Sequence, residues 1–340
     1  MDLANLSDYF NQNITRRNFT VFDDRAHWTA CPVVLAIIIP IAAVLNGGVC
    51  IVLILTRQSQ PPFNIYLINL TFSNFCFILC YLPLDIVNSI YVRWTLGRTA
   101  CAYYQFAYWL FHGCLTNSHV LLTMNRLWAI FFPLHYHRHQ IRHRNRATLI
   151  CVGMWIYVSG FLTIGIVMTP VLVDTVPCTL ETDKNLQWAK AAQTVLYDIP
   201  LVFLAFAVPL VWYKRRLRRT RPVQVLNARE RDKHQSQQQA IAVAMTANST
   251  FDSSKSRDAS VLAVRKAMER SYFQLWLVLT SMTVLCWAPL ICYYAVVFYG
   301  GPYYVHLVEV GTFLYAVTPV IDPILLMIII PVLRVPRVHT

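Results

Sequence analysis

The chain is 340 residues long, 56% hydrophobic and only 13% charged, with a mean hydropathy of +0.46. A soluble domain carries about a quarter charged residues, so this composition excludes an ordinary water-soluble enzyme or binding module and points to a polytopic membrane protein. The net charge of +13 would suit a nucleic-acid binder if the cations covered one soluble face. They sit instead in the gaps between apolar runs, where they report topology, and no nucleic-acid partner is expected.

Residues 1–32 form a polar tail without the apolar core of a cleavable signal peptide, so the first apolar run is expected to direct insertion. Sequons at Asn5, Asn13 and Asn18 cluster in this tail and place it outside the cell as a glycosylated segment. Sequons at Asn69 and Asn248 fall in a span and in a predicted cytoplasmic loop and are set aside. About 20 apolar residues cross the hydrocarbon core. Seven such runs follow, at 33–56, 63–90, 101–130, 147–173, 191–212, 271–298 and 306–332, together making a bundle over 33–333. With the tail outside, most of the 29 Lys and Arg residues fall on the cytoplasmic side.

Every connection is short except 214–270. That loop opens Lys214-Arg215-Arg216-Leu217-Arg218-Arg219 and turns Gln- and Ser/Thr-rich, a composition expected to be disordered in its middle. Its basic flanks fit either anchoring to anionic lipid or contact with a partner. Residues 334–340 form a very short cytoplasmic tail. Cys50, Cys76, Cys80, Cys114, Cys151, Cys286 and Cys292 lie in apolar spans as small buried hydrophobes. Cys31, Cys101 and Cys178 lie near the outer boundary, where an oxidising compartment permits a bridge. No Gly-x-Ser-x-Gly, His-Glu-x-x-His, P-loop or paired-cysteine metal motif is present, so no enzyme, metal or cofactor is expected.

The third run ends Asn125-Arg126-Leu127-Trp128-Ala129-Ile130, and Pro133-Leu134-His135-Tyr136 follows. An arginine at mid-bilayer costs at least about 2.5–3.5 kcal/mol and is functional by default. Near the end of a span, snorkelling lowers that cost, so Arg126 fits an interfacial anchor as well. The motif resembles the cytoplasmic end of the third helix in rhodopsin-like (class A) G-protein-coupled receptors. The resemblance extends along the chain: Asn46 in the first span, Leu70 and Asn74 in the second, Trp155 in the fourth, Pro209 in the fifth, Cys286-Trp287-Ala288-Pro289 in the sixth, Asp322-Pro323 in the seventh. It implies an all-α, seven-transmembrane helix bundle in the plasma membrane, with the N-terminus extracellular and the C-terminus cytoplasmic. It implies two partners besides the lipid bilayer, an extracellular ligand and a heterotrimeric G protein. It also implies a Cys101–Cys178 disulfide to the second extracellular loop, leaving Cys31 free or paired between chains.

Where the family has an acid before the arginine, this chain has Asn125. The usual Asp in helix 2 and Asn in helix 7 are exchanged as Asn74 and Asp322, and Leu115 stands where an oxygen is normal, so no sodium site is expected. Leu326 replaces the helix 7 tyrosine, and the chain ends at Thr340 with neither an amphipathic eighth helix nor a palmitoylated cysteine. Pro209, Pro289 and Pro323 are candidate hinges. Trp287 fits either a switch or core packing.

The ligand-binding residues expected at the outer half are Asp85, Tyr104, Tyr108, Trp109, His112, Trp287, Leu290, Tyr294, Glu309 and Tyr315. Aromatic residues at helical spacing also serve packing alone, as His112 would in the core. The acid of aminergic receptors would fall at Tyr108 and the retinal lysine of opsins at Ala316, so neither ligand mode is expected. Asp85, Asp198 and Glu309 could meet a cationic ligand beside an aromatic cage or the basic groups of a peptide. For switching and G-protein coupling the set is Asn125, Arg126, Ile130, Leu217, Glu269, Asn74, Asp322 and Pro323. Glu269 either latches Arg126 or pairs along its own helix with Lys266 or Arg265. The resulting reading is a receptor that activates a heterotrimeric G protein through outward movement of helix 6. Alternatives are a receptor-derived, non-signalling scaffold, suggested by Asn125 and Leu326, or a transporter or channel, which would need broken midplane helices and internal repeats.

Overall fold

The computed structural model describes the backbone of residues 26, 28–56, 62–91, 93–136, 138–139, 145–173, 178–220, 252–301 and 305–330, and their side chains except those of residues 31, 215, 217–220, 252–266, 305, 306 and 309. The sequons at Asn5, Asn13 and Asn18, the 334–340 tail, and the side chains of Leu217, Glu309 and Cys31 lie outside the described residues.

The chain runs through α1 (Ala30–Leu55), α2 (Phe63–Cys80), α3 (Leu82–Ile90), α4 (Gly97–Phe131), the short α5 (Pro133–Tyr136) and α6 (Asn145–Met168). A two-stranded antiparallel ribbon, β1 (Val171–Leu172) with β2 (Thr179–Leu180), pairs Val171 with Leu180. A 3₁₀ turn at Thr182–Asn185 and α7 (Leu186–Gln193) lead to a π turn at Thr194–Asp198. Then come α8 (Ile199–Thr220), α9 (Asp252–Phe298) and α10 (Val305–Ile329). The flanks of the long loop are thus helical as far as Thr220 and from Asp252 onward.

Among the described residues, six stretches are long and apolar enough to cross a membrane: Pro32–Leu55, Phe63–Ile90, Asn145–Met168, Thr182–Lys214, Ala267–Phe298 and Val310–Ile329. The seventh crossing is α4, whose mean hydropathy is diluted by Gln105, His112, Thr116, Ser118, His119, Thr123 and Asn125, all buried. A helix can carry so many polar groups at membrane depth only where protein surrounds it. Here α4 packs against α2, α6, α8 and α9. The outer helices show the converse pattern. Ile37, Val44 and Leu55 of α1 and Ile156, Ile164 and Val167 of α6 are exposed, an apolar surface suited to lipid rather than water.

Proline chemistry sets the local breaks. Pro83 has no N–H for the preceding turn, and the second span is interrupted at Tyr81, between α2 and α3. Pro323 likewise leaves the carbonyl of Pro319 without its intrahelical donor. Asn46 Nδ2 donates to that carbonyl at 2.6 Å and to Ala42 O at 2.8 Å, so α1 satisfies the gap that the proline opens in α10. Asn69 ties three spans together: its Nδ2 donates to Ser118 Oγ (2.8 Å), and its Oδ1 accepts from Trp155 Nε1 (3.0 Å). At one end, Cys101 and Cys178 are joined in a disulfide that fixes the ribbon over α4. Where α7 crosses α6, a Cβ on Gly165 would fall inside the Trp188 ring.

Candidate functional site

A crevice opens at the disulfide end of the bundle, with about 420 Å³ of atom-free space including its mouth. From α4 it receives Tyr108, Trp109 and His112, which lie on one face by their three- and four-residue spacing. Leu290, Ile291, Tyr294 and Phe298 come from α9 beyond Pro289, Tyr315 from α10, and Gln193 and Tyr197 from the start of the fifth span. The π turn adds a residue to that span before α8 begins, and such turns often accompany functional sites. Its Tyr197 donates from Oη to Trp109 O at 2.6 Å, and Gln193 Nε2 donates to Asp198 Oδ1 at 2.9 Å. Alongside, a Cβ at Gly113 would lie 3.0 Å from Val158 Cγ1, a tight contact between α4 and α6.

Six of the expected ligand residues therefore meet around one volume: Tyr108, Trp109, His112, Leu290, Tyr294 and Tyr315. Asp85 and Tyr104 do not line it. They form a buried cluster to one side, where Asp85 Oδ1 accepts from Tyr81 Oη and Tyr104 Oη, both at 2.8 Å. Tyr104 stacks on Tyr81 and Trp94, and Asn88 links the cluster to the disulfide by accepting from Cys178 N at 2.8 Å. Two phenol donors satisfy a carboxylate oxygen well. Asp85 is consequently engaged within the fold rather than presented to the crevice.

Below the crevice the rings continue inward. Tyr108 and His112 lie 4.4 Å apart by centroid, His112 and Tyr315 4.3 Å, Tyr315 and Trp287 4.6 Å, and Trp287 and His119 5.1 Å. Trp287 is under the floor rather than in the lining, 1% exposed, with Nε1 donating to Thr318 Oγ1 at 3.1 Å. His119 then meets the exchanged polar pair. Its Nε2 is 3.6 Å from Asp322 Oδ2, which accepts from Asn74 Nδ2 at 3.0 Å. Thr283 Oγ1 donates its only proton to Leu279 O (2.8 Å) and lies 3.1 Å from His119 Nδ1. Leu115 is fully buried and brings no oxygen to this centre.

At the opposite, arginine end, Asn125 Oδ1 accepts from Tyr136 Oη at 3.3 Å. The guanidinium of Arg126 lies over the Phe63 ring, 3.3 Å from its centroid, and 5.6 Å from that of Tyr272. Its Nε has no hydrogen-bond partner among the described residues. Glu269 stands one turn before Tyr272 on α9 with an exposed side chain, and Ile130 is half-buried on α4. Thr123 accepts from Trp276 Nε1 at 3.0 Å, joining α4 to α9 between the polar centre and the arginine.

Residues outside the expected set that the geometry brings in are Gln193, Tyr197, Ile291 and Phe298 at the crevice, His119 and Thr318 at the centre, and Phe63 and Tyr272 at the arginine. Two of these carried a usable signal: Tyr197 as an aromatic residue in the outer half of the fifth span, and Phe298 as one turn beyond Tyr294 on the same helix face.

A seven-helix bundle with an aromatic crevice at its disulfide-capped end and an arginine at the other is the architecture of a heptahelical membrane receptor. Residues 45–326 match the 7 transmembrane receptor (rhodopsin family) profile, and the chain belongs to that family, as a multi-pass protein of the plasma membrane. It is similar to a lateral eye opsin of Limulus polyphemus, 28% identical over 202 residues, covering 55% of this chain and 52% of the opsin. It is also similar to melanopsin of Homo sapiens, 27% identical over 135 residues, covering 39% of this chain and 27% of that protein. A third relative is lysophosphatidic acid receptor 4 of Mus musculus, 23% identical over 206 residues, covering 58% of this chain and 53% of the receptor. The chain thus spans about half the length, or less, of these curated relatives.

Proposed function

We propose that the chain is a receptor whose crevice takes an extracellular ligand and whose arginine end activates a heterotrimeric G protein when the inner part of α9 swings outward from Arg126. The observation that carries this reading is the unbroken series of ring contacts from Tyr108 through His112, Tyr315 and Trp287 to His119 and Asp322. A ligand that prefers one arrangement of these rings shifts the equilibrium only by its differential affinity for the two states. Spatial continuity is a warrant for coupling only once mutation shows energy passing along it.

The ligand is proposed to be small, mainly apolar and uncharged. Among the described residues the lining carries no Lys, Arg, Asp or Glu and is mostly aromatic, as is typical of small-molecule sites. Asp85 is occupied by its two phenols, so a cation finds no free carboxylate there. Two relatives are opsins, but Ala316 is buried where the retinal lysine would stand. A third is named for lysophosphatidic acid, yet among the described residues no Lys or Arg lines the crevice to meet a phosphate.

The test is a screen of neutral apolar compounds for G-protein activation, repeated on Ile291→Trp, which fills the crevice. Compounds acting there should lose potency by about tenfold or more, ~1.4 kcal/mol, while surface expression holds. Potency unchanged by the variant would move the ligand out of the crevice, and only charged compounds scoring would overturn the assignment of ligand class.

A further inference from the structure

The two ring nitrogens of His112 are in different situations. Nδ1 lies 2.7 Å from Tyr108 O, one turn earlier on α4. A carbonyl oxygen only accepts, so Nδ1 carries a hydrogen and donates it. Nε2 has no hydrogen-bond partner among the described residues. Unlike Asp322 Oδ1, it is not sealed away from free volume, and His112 lines the crevice. The ring touches Phe77, Tyr81, Tyr108 and Tyr315, and no acid pairs with it among the described residues. An imidazolium there would lack a counter-ion. In the uncharged ring with its hydrogen on Nδ1, Nε2 holds a lone pair.

Gln193 brings a second acceptor from the fifth span. Its Nε2 donates to Asp198 Oδ1 at 2.9 Å and to Ile291 O at 3.4 Å. Those two acceptors fix which end of the amide is which and leave Oε1 to accept. Oε1 has no hydrogen-bond partner among the described residues and is not sealed from free volume either. Tyr108 and Trp109 add groups on the same lining that can donate. A hydroxyl group both gives and takes a hydrogen bond. A ketone or an ether only takes one, and would leave the His112 lone pair covered and unmatched.

Taking the crevice as the ligand site, on which this rests, we infer that its ligand is an apolar molecule bearing a hydroxyl group that donates to His112 Nε2. That contact falls at the head of the ring series, since His112 lies against Tyr315 and Tyr315 stacks on Trp287. The hydroxyl therefore selects the ligand and also bears on the rings that lead inward.

The experiment uses the full chain in nanodiscs with three probes: 2-naphthol, which has the hydroxyl hydrogen, and 2-methoxynaphthalene and naphthalene, which do not. Equilibrium dialysis, corrected for uptake by receptor-free nanodiscs, gives the affinity of each for the parent, His112→Phe and Ile291→Trp. The parent should hold 2-naphthol about tenfold or more tighter than the other two, the worth of a well-made hydrogen bond. His112→Phe keeps a ring but removes the acceptor, so it should erase that preference while naphthalene binding holds. Ile291→Trp should weaken all three. If Ile291→Trp weakens all three but 2-naphthol has no advantage, the crevice stands as the ligand site and the hydroxyl assignment is wrong. A preference that survives in His112→Phe also overturns it. If no probe binds, or Ile291→Trp changes nothing, the crevice reading fails and the assignment falls with it. Should His112→Phe not fold, spectra of the parent carrying 15N-histidine decide. A non-protonated ring nitrogen should move toward the protonated range with 2-naphthol alone, and the absence of that shift overturns the assignment.

Discussion

His119 occupies the centre of the molecule and was not readable as a site, because one histidine on an apolar helix looks like any buried ring. Its role comes from what three other spans bring to it: Thr283, Trp287, and Asp322 with Asn74. Asp322 Oδ1 has no hydrogen-bond partner among the described residues, so His119 and Asn74 carry most of its compensation. His119→Leu should therefore lower stability by about 1–3 kcal/mol, the cost of a buried polar group left short of partners. In the double variant His119→Leu/Asp322→Asn most of that loss should return, since the uncompensated carboxyl group is gone. Thermal unfolding of purified protein measures both. A single variant that melts like the parent, or a double variant worse than the sum of the singles, contradicts this pairing.

Arg126 was legible as a functional candidate, but the ring it lies over was not, since nothing in the sequence says that Phe63 will lie across its face. A desolvated cation over a ring is worth ~2 kcal/mol, whereas a pairing made by the exposed Glu269 is worth about 0–1 kcal/mol. Phe63→Leu should accordingly raise ligand-independent signalling more than Glu269→Ala does. Asn125→Asp should lower it by supplying a carboxylate beside the guanidinium. Cell-based G-protein activation, normalised to surface receptor, gives the order, and the ring contact is not the restraint if Glu269→Ala has the larger effect.

Among the elements, the apolar runs locate the spans because lipid demands about 20 such residues, while their internal breaks depend on tertiary support. Pro323 marks α10 as kinked, but only the fold reveals Asn46 satisfying the carbonyl that it frees. The fifth span begins with α7 and a π turn that hydropathy cannot separate from its continuation. That is why Gln193 was missed, whereas Tyr108 and His112 followed from helical spacing. Close approach of α9 and α10 next to the crevice depends on Gly311, where a Cβ would lie 3.0 Å from Leu290 Cβ and 3.2 Å from its Cα. Gly311→Val should force the helices apart, costing about 1–3 kcal/mol as overpacking and shifting the crevice wall that Leu290 forms. A melting temperature equal to the parent's would show that this contact is slack.

For the whole molecule, ring contacts link an aromatic crevice to the buried His119–Asp322 pair, and α4 carries on from that pair to Arg126. The membrane hides the apolar exterior, so the polar residues that would discredit α4 as a span are what make it the centre of the bundle. Asn125 and Leu326 depart from the family pattern at the end where a G protein would dock, and the decisive question is whether that end still works. The most direct measurement is guanine-nucleotide exchange on a panel of purified heterotrimeric G proteins, catalysed by the full chain in nanodiscs with and without the apolar compound set. The account predicts exchange above the receptor-free rate for at least one heterotrimer, reduced about tenfold or more, ~1.4 kcal/mol, by Arg126→Ala. No exchange on any heterotrimer from receptor that is folded and disulfide-bonded, under every condition of the panel, would contradict it.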